Sequence, residues 1–317
     1  MITIFSAPKP FNNEQIATIQ FNAIQSWLNL GSGVEVLLMG NEPGLDEAAE
    51  RMGVSLLSVH SRAPSGAPLV SELFRLARDA AQHAVLGYVN ADIMLLDDFL
   101  PTVKSVADQF ERFLLVGNRH DIDISEEMAF NDGWVDSLRR ELENRARQHK
   151  PMGSDYFVFP KGQFTDIPEF VLGRAGWDNW MIYKGRYEQM PVIDASKAIT
   201  AVHQNHDYSH LPGGVPHYRH PESMKNIQLA GGYESMFRLR DADWLFTAQG
   251  MREKSTVDWE WPRKIEADLI ASFGTGFKAR LTRMLFHPGD AAAYLREKFF
   301  GPDQPAQAGE EDIGSVN

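Results

Sequence analysis

The chain has 317 residues, with 31 Lys and Arg against 43 Asp and Glu, a net charge of −12. That balance excludes a general nucleic-acid binder, which needs a basic face. Cysteine is absent, which excludes disulfides, thiolate metal sites and a cysteine nucleophile. At about 150 residues per domain the length suits one large domain or two modest ones, with ample core.

No apolar run approaches the ~18–20 residues of a membrane span. The apolar start, Met1 to Ala7, stops at Pro8-Lys9-Pro10 and has no basic region before it. It therefore reads as a first strand rather than a signal peptide, in a soluble, cytoplasmic chain.

Taken in chain order, Thr3 to Ser6 reads as a buried strand and Glu14 to Leu30 as a helix, with Ile16, Ile19, Ala23, Ile24, Trp27 and Leu28 on one face and Gly31 ending it. A strand over Val34 to Met39, a helix over Leu45 to Met52, a strand over Val54 to Val59 and a helix over Leu69 to His83 follow. Val85 to Val89 is a fourth strand and runs directly into Asn90-Ala91-Asp92. This alternation predicts an α/β fold with a mostly parallel central sheet flanked by helices. Ligands of such sheets bind beyond the carboxyl ends of the strands. Those ends are Ala7-Pro8-Lys9, Gly40-Asn41-Glu42, His60-Ser61-Arg62 and Asn90-Ala91-Asp92, so four loops are expected to share one crevice.

Further on, the pattern predicts a helix over Asp97 to Glu111, a strand over Arg112 to Gly117, a charged helix over Val135 to Gln148 and an aromatic strand over Asp155 to Phe159. A helix over Trp177 to Tyr187 and short strands at Val192 to Asp194 and Ala198 to His203 come next. Asn205 to Gly232 reads as irregular loop, while Tyr233 to Gly250 and Lys264 to Leu295 read as mainly helical. The expected organisation is a catalytic domain over 1–210, a loop and helical C-terminal extension over 211–300, and a disordered acidic tail over 301–317.

Three features carry chemistry. Asp92 lies just past the end of a hydrophobic strand, where a carboxylate can hold a hard divalent cation against a diphosphate, or simply cap a turn. Five of the ten histidines fall at 203, 206, 210, 217 and 220. His203 and His206 follow an apolar strand, so either is a candidate metal ligand or an ordinary hydrogen-bonded loop residue. The third feature is Gly176-Trp177-Asp178-Asn179-Trp180, an acid between two tryptophans at a helix start. Such an acid can accept a hydroxyl proton, and tryptophan faces stack on sugar rings. The same pattern also suits a capping Asp between core tryptophans.

In that order the features resemble the GT-A class of nucleotide-sugar glycosyltransferases over roughly residues 1–210. Asn90-Ala91-Asp92 is similar to its DxD element, Gly176-Trp177-Asp178-Asn179 to its xED element, and His203 or His206 to its late metal ligand. Asn90 stands where the first acid is usual, so the site offers one carboxylate in place of two. The resemblance implies transfer of a sugar from a nucleotide diphosphate to the hydroxyl of a glycan or glycoconjugate, with a divalent metal (Mn2+ or Mg2+) held by Asp92 and His203 or His206. It further implies Asp178 as base, or Asp178 or Asp155 as a stabilising acid, and Trp177 and Trp180 on the acceptor side. The donor would be met by Pro8, Asn41, Glu42, Arg62, Asn90 and Asp92.

A sugar nucleotidylyltransferase would need a glycine-rich turn after the first strand, and Ala7-Pro8-Lys9-Pro10-Phe11 has none. A metal hydrolase built on the His203–His220 cluster and a non-catalytic sugar-nucleotide or glycan binder on the same fold remain as alternatives. Lastly, Phe277 to Phe300 mixes apolar and basic residues. It fits either packing on the catalytic domain or a second subunit, or peripheral contact with a membrane.

Overall fold

The computed structural model describes residues 1–148, 154–205 and 220–289. His206, His210 and His217, the acidic tail over 301–317 and the second half of the 277–300 segment lie outside the described residues.

The strands and helices follow the sequence pattern closely in the first half. β1 (Ile2–Ser6), α1 (Glu14–Leu28), β2 (Val34–Met39), α2 (Leu45–Met52), β3 (Ser55–Leu57), α3 (Val70–Ala80) and β4 (Val85–Val89) alternate. α1 starts where the Asn13 side chain accepts the Ile16 N–H, an ordinary N-cap. β5 (Ile93–Leu95), α4 (Phe99–Ala107), β6 (Leu114–Val116), β7 (His120–Ile122), α5 (Trp134–Arg145), β8 (Arg147–Gln148) and β9 (Tyr156–Pro160) follow. The chain continues through α6 (Trp177–Tyr187), β10 (Val192–Asp194), β11 (Ala201–Gln204), α7 (Pro221–Leu229), β12 (Trp244–Thr247), β13 (Gly250–Glu253), α8 (Arg263–Phe273) and α9 (Phe277–Phe286).

A nine-stranded sheet runs in the order β13-β12-β10-β6-β9-β4-β1-β2-β3. Its pairs are parallel except those made by β9, which is antiparallel to both β4 and β6, and by the edge hairpin β12/β13. Both faces are buried, as the unbroken apolar strands require. On β1, Phe5 packs with α3 and α6 residues such as Phe74 and Trp177, while Ile4 packs with Trp27 of α1 and Phe99 of α4. A second sheet of four strands, β5-β11-β7-β8, sits beside the first.

Two expectations are corrected. Tyr233 to Gly250 is not mainly helical, because Trp244 to Thr247 pairs with β10 and extends the main sheet. Its partly exposed side chains carry little periodic signal, and the long-range pairing decides. The stretch 205–232 is not all loop, since α7 forms where His220 caps the helix and Pro221 occupies its first turn. The described part of Lys264 to Leu295 is mainly helical as read, with Gly274 and Gly276 separating α8 from α9 at positive φ values of 72° and 142°.

Candidate active site

Of the candidate residues, Asn90 and Asp155 are joined by a hydrogen bond, and Asp92 and His203 approach each other, at the carboxyl ends of β4 and β6. Because β9 runs antiparallel between β4 and β6, its amino end lies at their carboxyl ends. Asp155, just before β9, is thereby carried into the crevice. The Asn90 N–H donates to the Asp155 carbonyl at 3.0 Å, and the Asn90 side-chain amide donates to Asp155 Oδ1, also at 3.0 Å. Arg119, just past β6, donates from Nη1 to that same oxygen at 2.7 Å and from Nε to Asp121 Oδ1 at 2.9 Å. Burial works against the Arg119 charge, but Asp155 and Asp121 outweigh it and hold its pKa above the ordinary value.

His203 enters from the second sheet. It stands opposite Asp121 in the parallel register of β11 and β7, and its Nδ1 lies 2.9 Å from Asp121 Oδ1. The imidazole is buried. Burial pushes its pKa down, Asp92 pulls it up and Arg119 pushes it down again, with a net lowering. With the ring proton on Nδ1 towards Asp121, a neutral imidazole turns its Nε2 lone pair towards Asp92, which is how carboxylates orient metal-binding histidines. That Nε2 is 3.8 Å from Asp92 Oδ2, too long for a hydrogen bond and wider than the ~3 Å between adjacent ligands of an octahedral ion at ~2.1 Å, so both side chains would draw together on a bound cation.

Among the described residues no group of three or more His, Asp and Glu side chains is placed to hold a metal ion. Asp92 and His203 supply two donors. The single Asp92 carboxylate fits a hard divalent ion, which is held by one or two carboxylates and completes its shell with substrate phosphates and water, while the His203 imidazole suits a softer transition-metal ion better.

Asp178 lies in the first turn of α6, after Gly176, whose φ of 109° sets the entry to the helix. Burial pushes the Asp178 carboxyl up to about 6, the backbone N–H groups of Asn179 and Gly176 hold it back, and Asp155 adds to the rise. Trp177, next to Asp178, packs on Tyr88 of β4 and Phe157 of β9, so α6 begins beside the strand ends that carry Asp92 and Asp155. α7, unforeseen from sequence, anchors this turn. The Asn226 side chain bonds both backbone groups of Val171, and Ser223 Oγ accepts the Ala175 N–H at 3.2 Å.

Trp177 and Trp180 are core residues, each 6% exposed. Trp177 packs on Tyr88 and Phe157 with centroids 5.1 and 5.2 Å away, and Trp180 on Phe170 at 5.2 Å. Their faces are occupied, which corrects the expectation that they form the acceptor platform. Asn41, Glu42 and Arg62 are bound to one another's loops. Asn41 bonds both backbone groups of Val59, and Arg62 pairs with Glu42 at 2.8 Å and donates to the Gly66 carbonyl. Arg62 thus closes the β3 loop instead of reaching freely for phosphate. Pro8 is buried at the end of β1. Of the described histidines in the 203–220 cluster, His220 is committed to capping α7 through the Glu222 N–H.

Two residues of the candidate site, Arg119 and Asp121, escaped the sequence reading, and Lys9 was read only as part of a strand-end loop. Arg119 and Asp121 follow a short strand whose carboxyl end was legible, so strand-end placement was their only signal. Lys9 follows β1, and burial lowers its pKa while Asp92 opposes the shift. Two surface hollows of about 330 and 240 Å3 open elsewhere, and neither is lined by any of these residues.

No protein-family model and no curated protein matches the sequence. Solved structures with a loosely similar chain trace include glucosyl-3-phosphoglycerate synthase from Mycobacterium tuberculosis, in complex with Mn2+, UDP and glucosyl-3-phosphoglycerate. It is 15% identical with a TM-score of 0.45, covering 73% of this chain and 80% of that one. S. aureus TarS 1–349 in complex with UDP-GlcNAc is 11% identical with a TM-score of 0.48, covering 94% of this chain and 77% of that one. Likeness at this level assigns no activity.

Proposed function

We propose that the chain is a glycosyltransferase that moves a sugar from a nucleotide-diphosphate sugar to an acceptor hydroxyl. The observation that carries this reading is the pairing of two unlike sites on one crevice. Asp92 and the Asp121-oriented Nε2 of His203 stand 3.8 Å apart at the strand ends. Asp178, with its carboxyl pushed up to about 6, lies in the first turn of α6, whose Trp177 packs on Tyr88 and Phe157 near those strand ends. Asp92 and His203 would hold a divalent cation, and such an ion, when bound, offsets charge growing on the leaving diphosphate.

Asp178 is the proposed base. As the acceptor oxygen bonds to the anomeric carbon, the bond from that carbon to the diphosphate oxygen breaks. Its electron pair leaves with the diphosphate, and the hydroxyl proton passes to the Asp178 carboxylate. A pKa near 6 leaves Asp178 ionised at neutral pH yet more basic than an ordinary aspartate, which suits that role. Asp155 is assigned a positioning role, because its Oδ1 already accepts from Asn90 and Arg119. Lys9 and Arg119 both feel the charge of Asp92 and would add positive charge for a diphosphate held there.

Thermal shift with UDP-, GDP- and CDP-sugars, with and without Mn2+, tests this. One nucleotide should stabilise the protein only with metal. Asp92→Ala should lose that shift while keeping its own melting temperature. A protein that no nucleotide stabilises, or one that retains zinc and ignores nucleotides, overturns the reading in favour of a hydrolase or another activity.

A further inference from the structure

α9 is amphipathic in an unusual sense, because its apolar side is the one turned outward. Ala279 and Thr282 are buried against the rest of the protein. Phe277, Leu281 and Leu285 recur every four residues, which sets them in one stripe along a helix. They are 81%, 46% and 72% exposed. Phe273 at the end of α8 is also exposed, and Lys278 Nζ lies 5.6 Å from its ring.

The charge on this helix runs against that of the protein. α9 carries Lys278, Arg280 and Arg283 and no acid, within a chain of net charge −12. Arg280 reaches Glu234 at 3.1 Å but stays largely exposed while Glu234 is buried. The Arg283 guanidinium lies 5.9 Å from the ring of Tyr233, itself an exposed aromatic. At helical spacing, Lys278 and Arg280 fall on opposite sides of the Phe277–Leu281–Leu285 stripe.

We propose that α9 is a lipid-docking surface that lies in the plane of an anionic membrane. The stripe of Phe277, Leu281 and Leu285 would enter the boundary between headgroups and acyl chains, and Lys278 and Arg280 would meet the lipid phosphates on either side. Charge decides between this partner and a second copy of the chain. A two-fold contact through the same patch would press the basic flanks of the stripe, Lys278 and Arg280, against a surface of the same sign, whereas a negative surface complements them. No helix among the described residues is long and apolar enough to cross a membrane, so the contact would be peripheral. The proposal is independent of the glycosyltransferase reading.

The test is co-sedimentation of the full-length protein with phosphatidylcholine vesicles, with and without phosphatidylserine. Binding is expected only with phosphatidylserine and should weaken as salt is raised. Lys278→Ala should weaken it about fivefold, the equivalent of about 1 kcal/mol per cation at the surface. The triple variant Phe277→Ser, Leu281→Ser, Leu285→Ser should weaken it at least roughly tenfold with an unchanged melting temperature, since these side chains are exposed. Absence of wild-type binding to phosphatidylserine vesicles would overturn the proposal, and so would a triple variant that still binds. A wild-type dimer that the triple variant converts to monomer would overturn it in favour of a contact between copies.

Discussion

Asn90 occupies the place where the resemblance expects an acid, and its hydrogen bonds explain why an acid would not serve there. Its amide donates to Asp155 Oδ1 at 3.0 Å, the same atom that Arg119 contacts at 2.7 Å. Asn90→Asp would replace that donor with a second carboxylate facing the first. Two like charges about 4 Å apart at an effective dielectric of about 20 repel by roughly 4 kcal/mol. Loss of a hydrogen bond to a charged acceptor adds about 1.5–3 kcal/mol. The pair can escape by taking up a proton, which for a carboxyl of ordinary pKa near 4 costs about 4 kcal/mol at pH 7 and about 1.4 kcal/mol at pH 5. Once protonated, the introduced carboxyl could again donate to Asp155, so that cost sets the ceiling.

The expected destabilisation is therefore about 3–4 kcal/mol at pH 7 and about 1–1.5 kcal/mol at pH 5. The sign follows from a carboxyl pKa raised in the folded state, whose folded form is favoured at low pH and penalised as pH rises. Urea unfolding of both proteins at the two pH values measures it. The double variant Asn90→Asp, Asp155→Asn rebuilds an amide–carboxylate pair and should be more stable than Asn90→Asp alone, a direct reading of the coupling. If Asn90→Asp is as stable as wild type at pH 7 and binds Mn2+ more tightly, Asn90 is a vacated metal-ligand position and the bridging argument fails.

Two further outcomes follow from the same site. Asp178 has a folded pKa of about 6 against about 3.9 unfolded. Its ionisation therefore opposes folding by up to about 3 kcal/mol at neutral pH, a penalty that is absent below pH 4 and builds up between pH 4 and 6. Asp178→Asn should melt a few degrees higher than wild type at pH 8 and equally at pH 4, and should bind donor but not turn it over. A melting difference that ignores pH would contradict the assigned cause. Trp177→Ala should cost about 3–5 kcal/mol in unfolding free energy, as for a large aromatic removed from a core. Unchanged stability with a raised acceptor KM would instead restore Trp177 to the acceptor side.

Much of the fold was legible in the chain itself. The boundaries of β2, α2, β4 and α6 match the sequence reading residue for residue, because each is bounded by Gly or a polar turn. The same pattern placed Asp92 and Asp155 at strand ends, since order along an alternating β/α chain determines which loops share an edge. Strand direction was beyond it. That β9 runs antiparallel is a property of the whole sheet, and this reversal carries Asp155 to Asn90 and Arg119.

The second sheet was likewise invisible. β5 and β7 are three residues each, too short for a periodic signal, and their partner β11 lies some 80 to 110 residues further along the chain. Only their pairing sets Asp121 behind His203 and His203 in front of Asp92. The two tryptophans show the converse limit. A Gly-Trp-Asp-Asn-Trp run is compatible with a sugar platform or with core packing, because sequence records the side chain but not what fills the space above its rings. Here Tyr88, Phe157 and Phe170 fill it, and only the tertiary structure brings them there.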